Sequence, residues 1–332
     1  MVVVLAVILL ISLGLIWKGS DWLTDSLIPV AHKIGTSYIA VTTLLASFIL
    51  SIPEVITSVY SSLLGHATIG IGVLIGSVMA NIGLTVGLTV GLSASFKPLT
   101  VEKSVAIRDG VYLVVAAIIV LLLGADLHYT RIDGLILLAL FVPHLFQVWY
   151  FEKQRKNKKE KFEKIKKNLS LTKELPYLKI KTSSLTFLLG AATLICGSYL
   201  FSYALIGLNN KLSFPELLVG LTIGALGPSL PNIAAAIQGT RKGYKDAAIT
   251  ETFGSNIFTL LITFGVIILL NPLRIEAKIF YFDLIWMIVI NLLMVLFIFK
   301  GYHYREESLT RYEGAILVVF YLILLIVNIV GF

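Results

Sequence analysis

The chain has 332 residues, 57% of them hydrophobic and 14% charged, with a mean hydropathy of +0.91. A charged fraction so far below the roughly 25% of soluble domains excludes a soluble globular protein and points to a polytopic membrane protein. The single cysteine, Cys196, excludes an intrachain disulfide, and the net charge of +8 sits almost wholly in 152–181, where twelve Lys/Arg meet four Glu.

Apolar runs fall near 2–17, 38–64, 69–95, 106–124, 132–151, 183–208, 215–238, 247–270, 279–300 and 312–331. They predict an all-α integral membrane protein with ten transmembrane helices. The first run lacks a basic n-region and a small-residue cleavage site, so it reads as a retained span and not as a signal peptide. With both termini outside, the inner connections lead the outer ones by ten basic residues to four, even without 152–181. That places the basic segment in the cytoplasm, where it could touch anionic lipid, and makes nucleic-acid binding the poorer reading of its charge.

The second run carries the most informative residues. Ser47, Ser51, Glu54 and Ser58 recur at spacings of four, three and four, so they share one helix face. A carboxylate at membrane depth is costly and marks a functional site by default. Pro53 beside it removes a backbone donor, which predicts a break or kink at Glu54. In the third run Ser77, Asn81 and Thr85 repeat every four residues, as do Glu251, Ser255 and Thr259 in the eighth. Glycine rows beside them (Gly72 and Gly76; Gly83, Gly87 and Gly91) allow close helix approach.

Shifting the first half by 178 residues lays it on the second. Gly19-Ser20 falls on Gly197-Ser198, Leu50-Ser51-Ile52-Pro53-Glu54 on Pro228-Ser229-Leu230-Pro231-Asn232, and Gly76-Ser77 on Gly254-Ser255. After a two-residue slip, Arg131-Ile132-Asp133-Gly134 falls on Arg311-Tyr312-Glu313-Gly314. Five spans per copy is an odd number, so the copies enter the membrane from opposite sides. The expected organisation is two inverted five-helix repeats, 1–151 and 183–332, with broken helices 2 and 7, joined by the basic segment 152–182.

At these motifs the chain resembles the cation/calcium antiporter superfamily, the sodium/calcium exchangers in particular. That family carries G-T-S-x-P-E in its second and seventh spans and G-S-N-x-x-N/D in its third and eighth. Here the first repeat reads Ile49-Leu50-Ser51-Ile52-Pro53-Glu54 and Gly76-Ser77-Val78-Met79-Ala80-Asn81. The second reads Gly227-Pro228-Ser229-Leu230-Pro231-Asn232 and Gly254-Ser255-Asn256-Ile257-Phe258-Thr259. The resemblance covers nearly the whole chain. It implies a secondary antiporter that exchanges sodium for calcium by alternating access, in a bilayer, with inorganic cations as its partners.

Carried over residue by residue, it implies a cation site of Glu54, Asn81, Ser51, Ser77, Asn232, Ser229, Ser255 and Thr259, with Glu54, Asn81 and Asn232 as the main metal ligands. The second repeat departs from the pattern: the family has glutamate at the position of Asn232 and often an acid at that of Thr259. Fewer ligand charges weaken calcium binding. Glu251, on the face of Ser255 and Thr259, is expected to supply the second carboxylate from a displaced position.

Two other functions stay open on the sequence. One is a monovalent cation or cation/proton antiporter using Glu54 as its single titrating carboxylate; the other is a non-transporting sensor or scaffold acting through the basic segment. Catalytic triads, phosphate loops and zinc motifs are missing from the sequence, which reads against an enzyme and implies no cofactor, Na+ and Ca2+ being cargo. The five histidines show no metal-ligand pattern, and all but His144 fall near span ends. Asp21 and Asp25 belong to the inner end of the first span.

Overall fold

The computed structural model describes residues 1–34, 47–92, 99–100, 106–154, 184–241, 245–303 and 308–331. The first half of the predicted second span and nearly all of the basic connection lie outside these residues.

Helix α1 (Val2–Ile34) runs far past the predicted end of the first span. Then come α2 (Ser47–Leu50) and α3 (Ile52–Leu63). Next, α4 (Ala67–Ala80) passes through π-type turns at Asn81–Val86 into α5 (Gly87–Leu92). After π-type turns at Ala106–Gly110, α6 (Val111–Leu123) and α7 (Arg131–Gln154) complete the first half.

The second half opens with α8 (Ser184–Leu212). Helix α9 (Glu216–Val219) leads through π-type turns at Gly220–Gly224 into α10 (Ala225–Arg241). Helix α11 (Lys245–Phe258) passes through π-type turns at Thr259–Thr263 into α12 (Phe264–Leu270). Turns at Ile279–Leu284 open α13 (Ile285–His303), and α14 (Arg311–Val330) ends the chain.

Eight of these helical stretches are long and apolar enough to cross a bilayer. They account for eight of the ten predicted spans. The second is described only from Ser47, and the fourth is the shorter Ala106–Leu123, whose opening turns carry Arg108 and Asp109. Outward faces are apolar, as at Leu10, Phe146 and Ile326, which suits contact with lipid tails.

The repeat is visible in the packing. Strand β1 (Leu99–Thr100) pairs antiparallel with β4 (Ser308–Leu309), and β2 (His128–Tyr129) with β3 (Leu273–Arg274). Exchanging each strand for its counterpart turns one pair into the other. Glycine contacts obey the same exchange. A Cβ on Gly87 would lie 2.8 Å from the Gly314 carbonyl oxygen, and one on Gly134 would lie 2.8 Å from that of Gly265. Two identical capping arrangements open α7 and α14. The Thr130 amide donates to Asp133 and the Thr310 amide to Glu313, both at 2.7 Å.

The breaks in the two repeats differ. Ser51 forms a turn between α2 and α3, so the first is interrupted one residue before Ile52-Pro53. Helix 7, expected to be broken, runs on as α10 through Pro228 and Pro231, and its irregularity lies earlier, at Gly220–Gly224. Each proline still removes one amide donor, which frees the carbonyls of Gly224 and Gly227 from their usual helical partners. The displacement follows from close packing: a Cβ on Gly220 would lie 2.8 Å from Gly72 Cα, so α4 presses against these turns.

Candidate cation-binding site

Glu54 lies in the first turn of α3, after Ser51, and is fully buried. Its Oε1 accepts the Ser229 hydroxyl at 3.2 Å and is 3.5 Å from Asn232 Nδ2. Its Oε2 is buried and has no partner among the described residues. Among the described residues no Lys, Arg or His pairs with it. A buried carboxylate left in this state calls for a cation or a proton.

Asn232 is the repeat counterpart of Glu54, and the two meet directly. Its Nδ2 faces three oxygens at once: Glu54 Oε1, Asn81 Oδ1 at 3.3 Å and Ser255 Oγ at 3.4 Å. Its own Oδ1 is buried without a partner. The amide nitrogen thus sits where three oxygens from α3, α4–α5 and α11 converge, an arrangement that a cation would also satisfy.

Serines link the repeats on a second side. The Ser51 hydroxyl donates to the Ser47 carbonyl at 2.7 Å. It therefore has no proton left for Ser255, so Ser255 Oγ donates to Ser51 Oγ, also at 2.7 Å. The Ser47 hydroxyl reaches across to the Glu251 carbonyl at 3.2 Å.

Of the residues singled out in the sequence, Glu54, Asn81, Ser51, Asn232, Ser229 and Ser255 form one hydrogen-bonded network. Ser77 and Thr259 do not join it. Each is buried one turn from a member, with its hydroxyl unpartnered. Glu251 lies one turn before Ser255; it is partly exposed, yet its Oε1 is shut from solvent and unpartnered. Among the described residues no three His, Cys, Asp or Glu side chains gather into a metal cluster.

Asn256 belongs to the network but was passed over in the sequence, because it lies off the four-residue row of Glu251, Ser255 and Thr259. Beyond Glu54 on α3, Thr57, Ser58 and Ser61 also bury unpartnered hydroxyls, as do the repeat counterparts Thr85 and Thr263. Their spacings of three, four and seven residues from Glu54, and of four from Asn81 and from Thr259, were the available signal.

Other polar pairs lie apart from the site. Arg108 grips Asp109 through two hydrogen bonds, at 2.7 and 2.6 Å, both side chains being buried. The Asn328 amide donates to Asp283 at 2.9 Å. His66, just before α4, and Glu216, the first residue of α9, meet at 2.6 Å.

Known proteins resemble this chain in sequence and fold. The family model described as sodium/calcium exchanger protein matches residues 4–150 and 182–330, one match on each repeat. Sodium/calcium exchanger MaX1 of Methanosarcina acetivorans is 27% identical, over 98% of this chain and 99% of its own length. Inner membrane protein YrbG of Escherichia coli is 26% identical over 87% of each chain. A solved structure of the sodium-calcium exchanger NCX_Mj, soaked with Na+ and Sr2+, superposes with a TM-score of 0.68 at 25% identity, covering 97% of this chain and 98% of that one. Two matched repeats and an oxygen cage between them, along nearly the full length, lead to one conclusion: the chain belongs to the sodium/calcium exchanger protein family.

Proposed function

We propose that this protein is a secondary antiporter that exchanges sodium for calcium by alternating access around Glu54. The observation that carries this reading is the cage itself: a buried carboxylate, one oxygen unpartnered among the described residues, that meets Ser229 and Asn232, with Asn81 and Ser255 on the same Asn232 amide. Carboxylate, carboxamide and hydroxyl oxygens are the ligands that hard cations prefer. The cage binds cation in place of the Asn232 donor. Closing a dry gate over Glu54 without a cation would leave a bare charge in a low dielectric, and that cost couples reorientation to cargo.

In this reading the chain makes ten spans in two inverted repeats, with both termini outside and the basic 152–181 segment cytoplasmic, in a prokaryotic plasma membrane. Cargo enters between helices of the two repeats, where freed carbonyls beside the prolines add oxygens. Glu251 supplies a second, displaced carboxylate one turn from Ser255, offsetting part of the charge missing at Asn232.

A second reading rests on one observation. The cage holds a single carboxylate, with neutral Asn232 opposite it, and one negative charge suits a monovalent cation or a proton. Calcium uptake into sodium-loaded proteoliposomes, run beside Glu54→Gln, decides between them. Uptake that needs outward sodium and is lost in the variant supports calcium exchange. Sodium- or potassium-driven pH change with no calcium uptake supports the monovalent reading.

A further inference from the structure

Asn256 lies outside the cage yet touches one of its ligands. It is fully buried on α11, one residue past Ser255. Its Nδ2 donates to the Val78 carbonyl at 3.0 Å, and its Oδ1 accepts Asn81 Nδ2 at 3.0 Å. A backbone carbonyl can only accept, so it fixes which end of the Asn256 amide faces it. With nitrogen toward Val78, oxygen must face Asn81. Asn81 then turns its own nitrogen to Asn256, which leaves its Oδ1 for the cage, where Asn232 Nδ2 stands 3.3 Å away. One acceptor-only group thus sets the polarity of a row of amides ending in the site.

We infer that Asn256 is a positioning residue: it holds the Asn81 carboxamide so that oxygen, and not N–H, faces the cation. The inference rests on the cage being the cation site. The device works on one side only. Val78, the counterpart of Asn256, has no side-chain polar group, and Thr259, the counterpart of Asn81, buries its hydroxyl unpartnered. Without Asn256, the Asn81 amide turns freely and presents its donor end to an incoming cation for part of the time. An Asn81 carboxylate would need no such guidance, since it offers oxygen in either orientation.

The test measures Ca2+ binding to the purified full-length protein by calorimetry. Asn256→Leu is expected to weaken binding by about tenfold or more, the range for losing an outer partner of a metal ligand. Asn256→Asp, neutral in its buried place, donates its O–H to the Val78 carbonyl and still accepts from Asn81, and is expected to hold affinity within about threefold of the parent. In an Asn81→Asp background, adding Asn256→Leu is expected to change affinity by less than about threefold. Equal losses for Leu and Asp at position 256, or an equal loss from Asn256→Leu in both backgrounds, would mean packing alone and would overturn the inference. Glu54→Gln is the separate control on the site: normal binding there would defeat the cage reading whatever Asn256 does.

Discussion

Gly87 meets Gly314 as Gly134 meets Gly265, and β1 meets β4 as β2 meets β3, so these scaffold contacts have mates in the other repeat. In the cage, Glu54 faces its own counterpart, Asn232, and the carboxylate stands on one side only. The difference shows what each region demands. Scaffold contacts are backbone against backbone, where only the smallest residue fits and any drift costs packing. A cage needs oxygens, which glutamate, asparagine and serine all provide, so charge can be lost on one side while the shape survives.

The greatest effect is expected at the unmatched residue. Glu54→Gln removes the carboxylate that centres the cage and should lower sodium-driven calcium uptake by more than the about 10–100-fold that loss of an outer partner costs a metal site. Uptake in oriented vesicles checks this. Arg108→Met leaves Asp109 buried without its partner and should destabilise the protein by about 3–5 kcal/mol; thermal unfolding in detergent should then recover most of that loss in Arg108→Met/Asp109→Leu. Gly220→Ala should cost about 1–3 kcal/mol, because its Cβ would press on the Gly72 backbone, whereas Gly91→Ala, with nothing within 4 Å among the described residues, should be tolerated. The smallest effects concern the matched caps. Thr130→Ala and Thr310→Ala should each cost about 0.5–2 kcal/mol, by similar amounts, and unequal losses would show that the repeats bear unequal loads.

Much of this was legible in the sequence. The offset of 178 already set Glu54 against Asn232 and Ser51 against Ser229, and helical periodicity gathered Asn81 and Ser255 toward them. Asn256 was hidden because it stands one residue off the row of Glu251, Ser255 and Thr259, so helical spacing did not gather it. The Arg108–Asp109 pair was hidden for another reason: neighbours in an ordinary α-helix do not face each other, and here they lie in wider turns. The site of irregularity in the second repeat could not be read either, since prolines show which donors are missing but not where packing makes the chain yield.

The central claim is that positions 54 and 232 are equivalent seats around one cation. The most direct measurement is sodium-driven calcium uptake by the exchanged variant Glu54→Gln/Asn232→Glu, beside Glu54→Gln alone and with folding verified by thermal unfolding. The account predicts that the single variant is inactive and that moving the carboxylate across the cage restores uptake to within about tenfold of the parent. A folded exchanged variant as inactive as Glu54→Gln would contradict it.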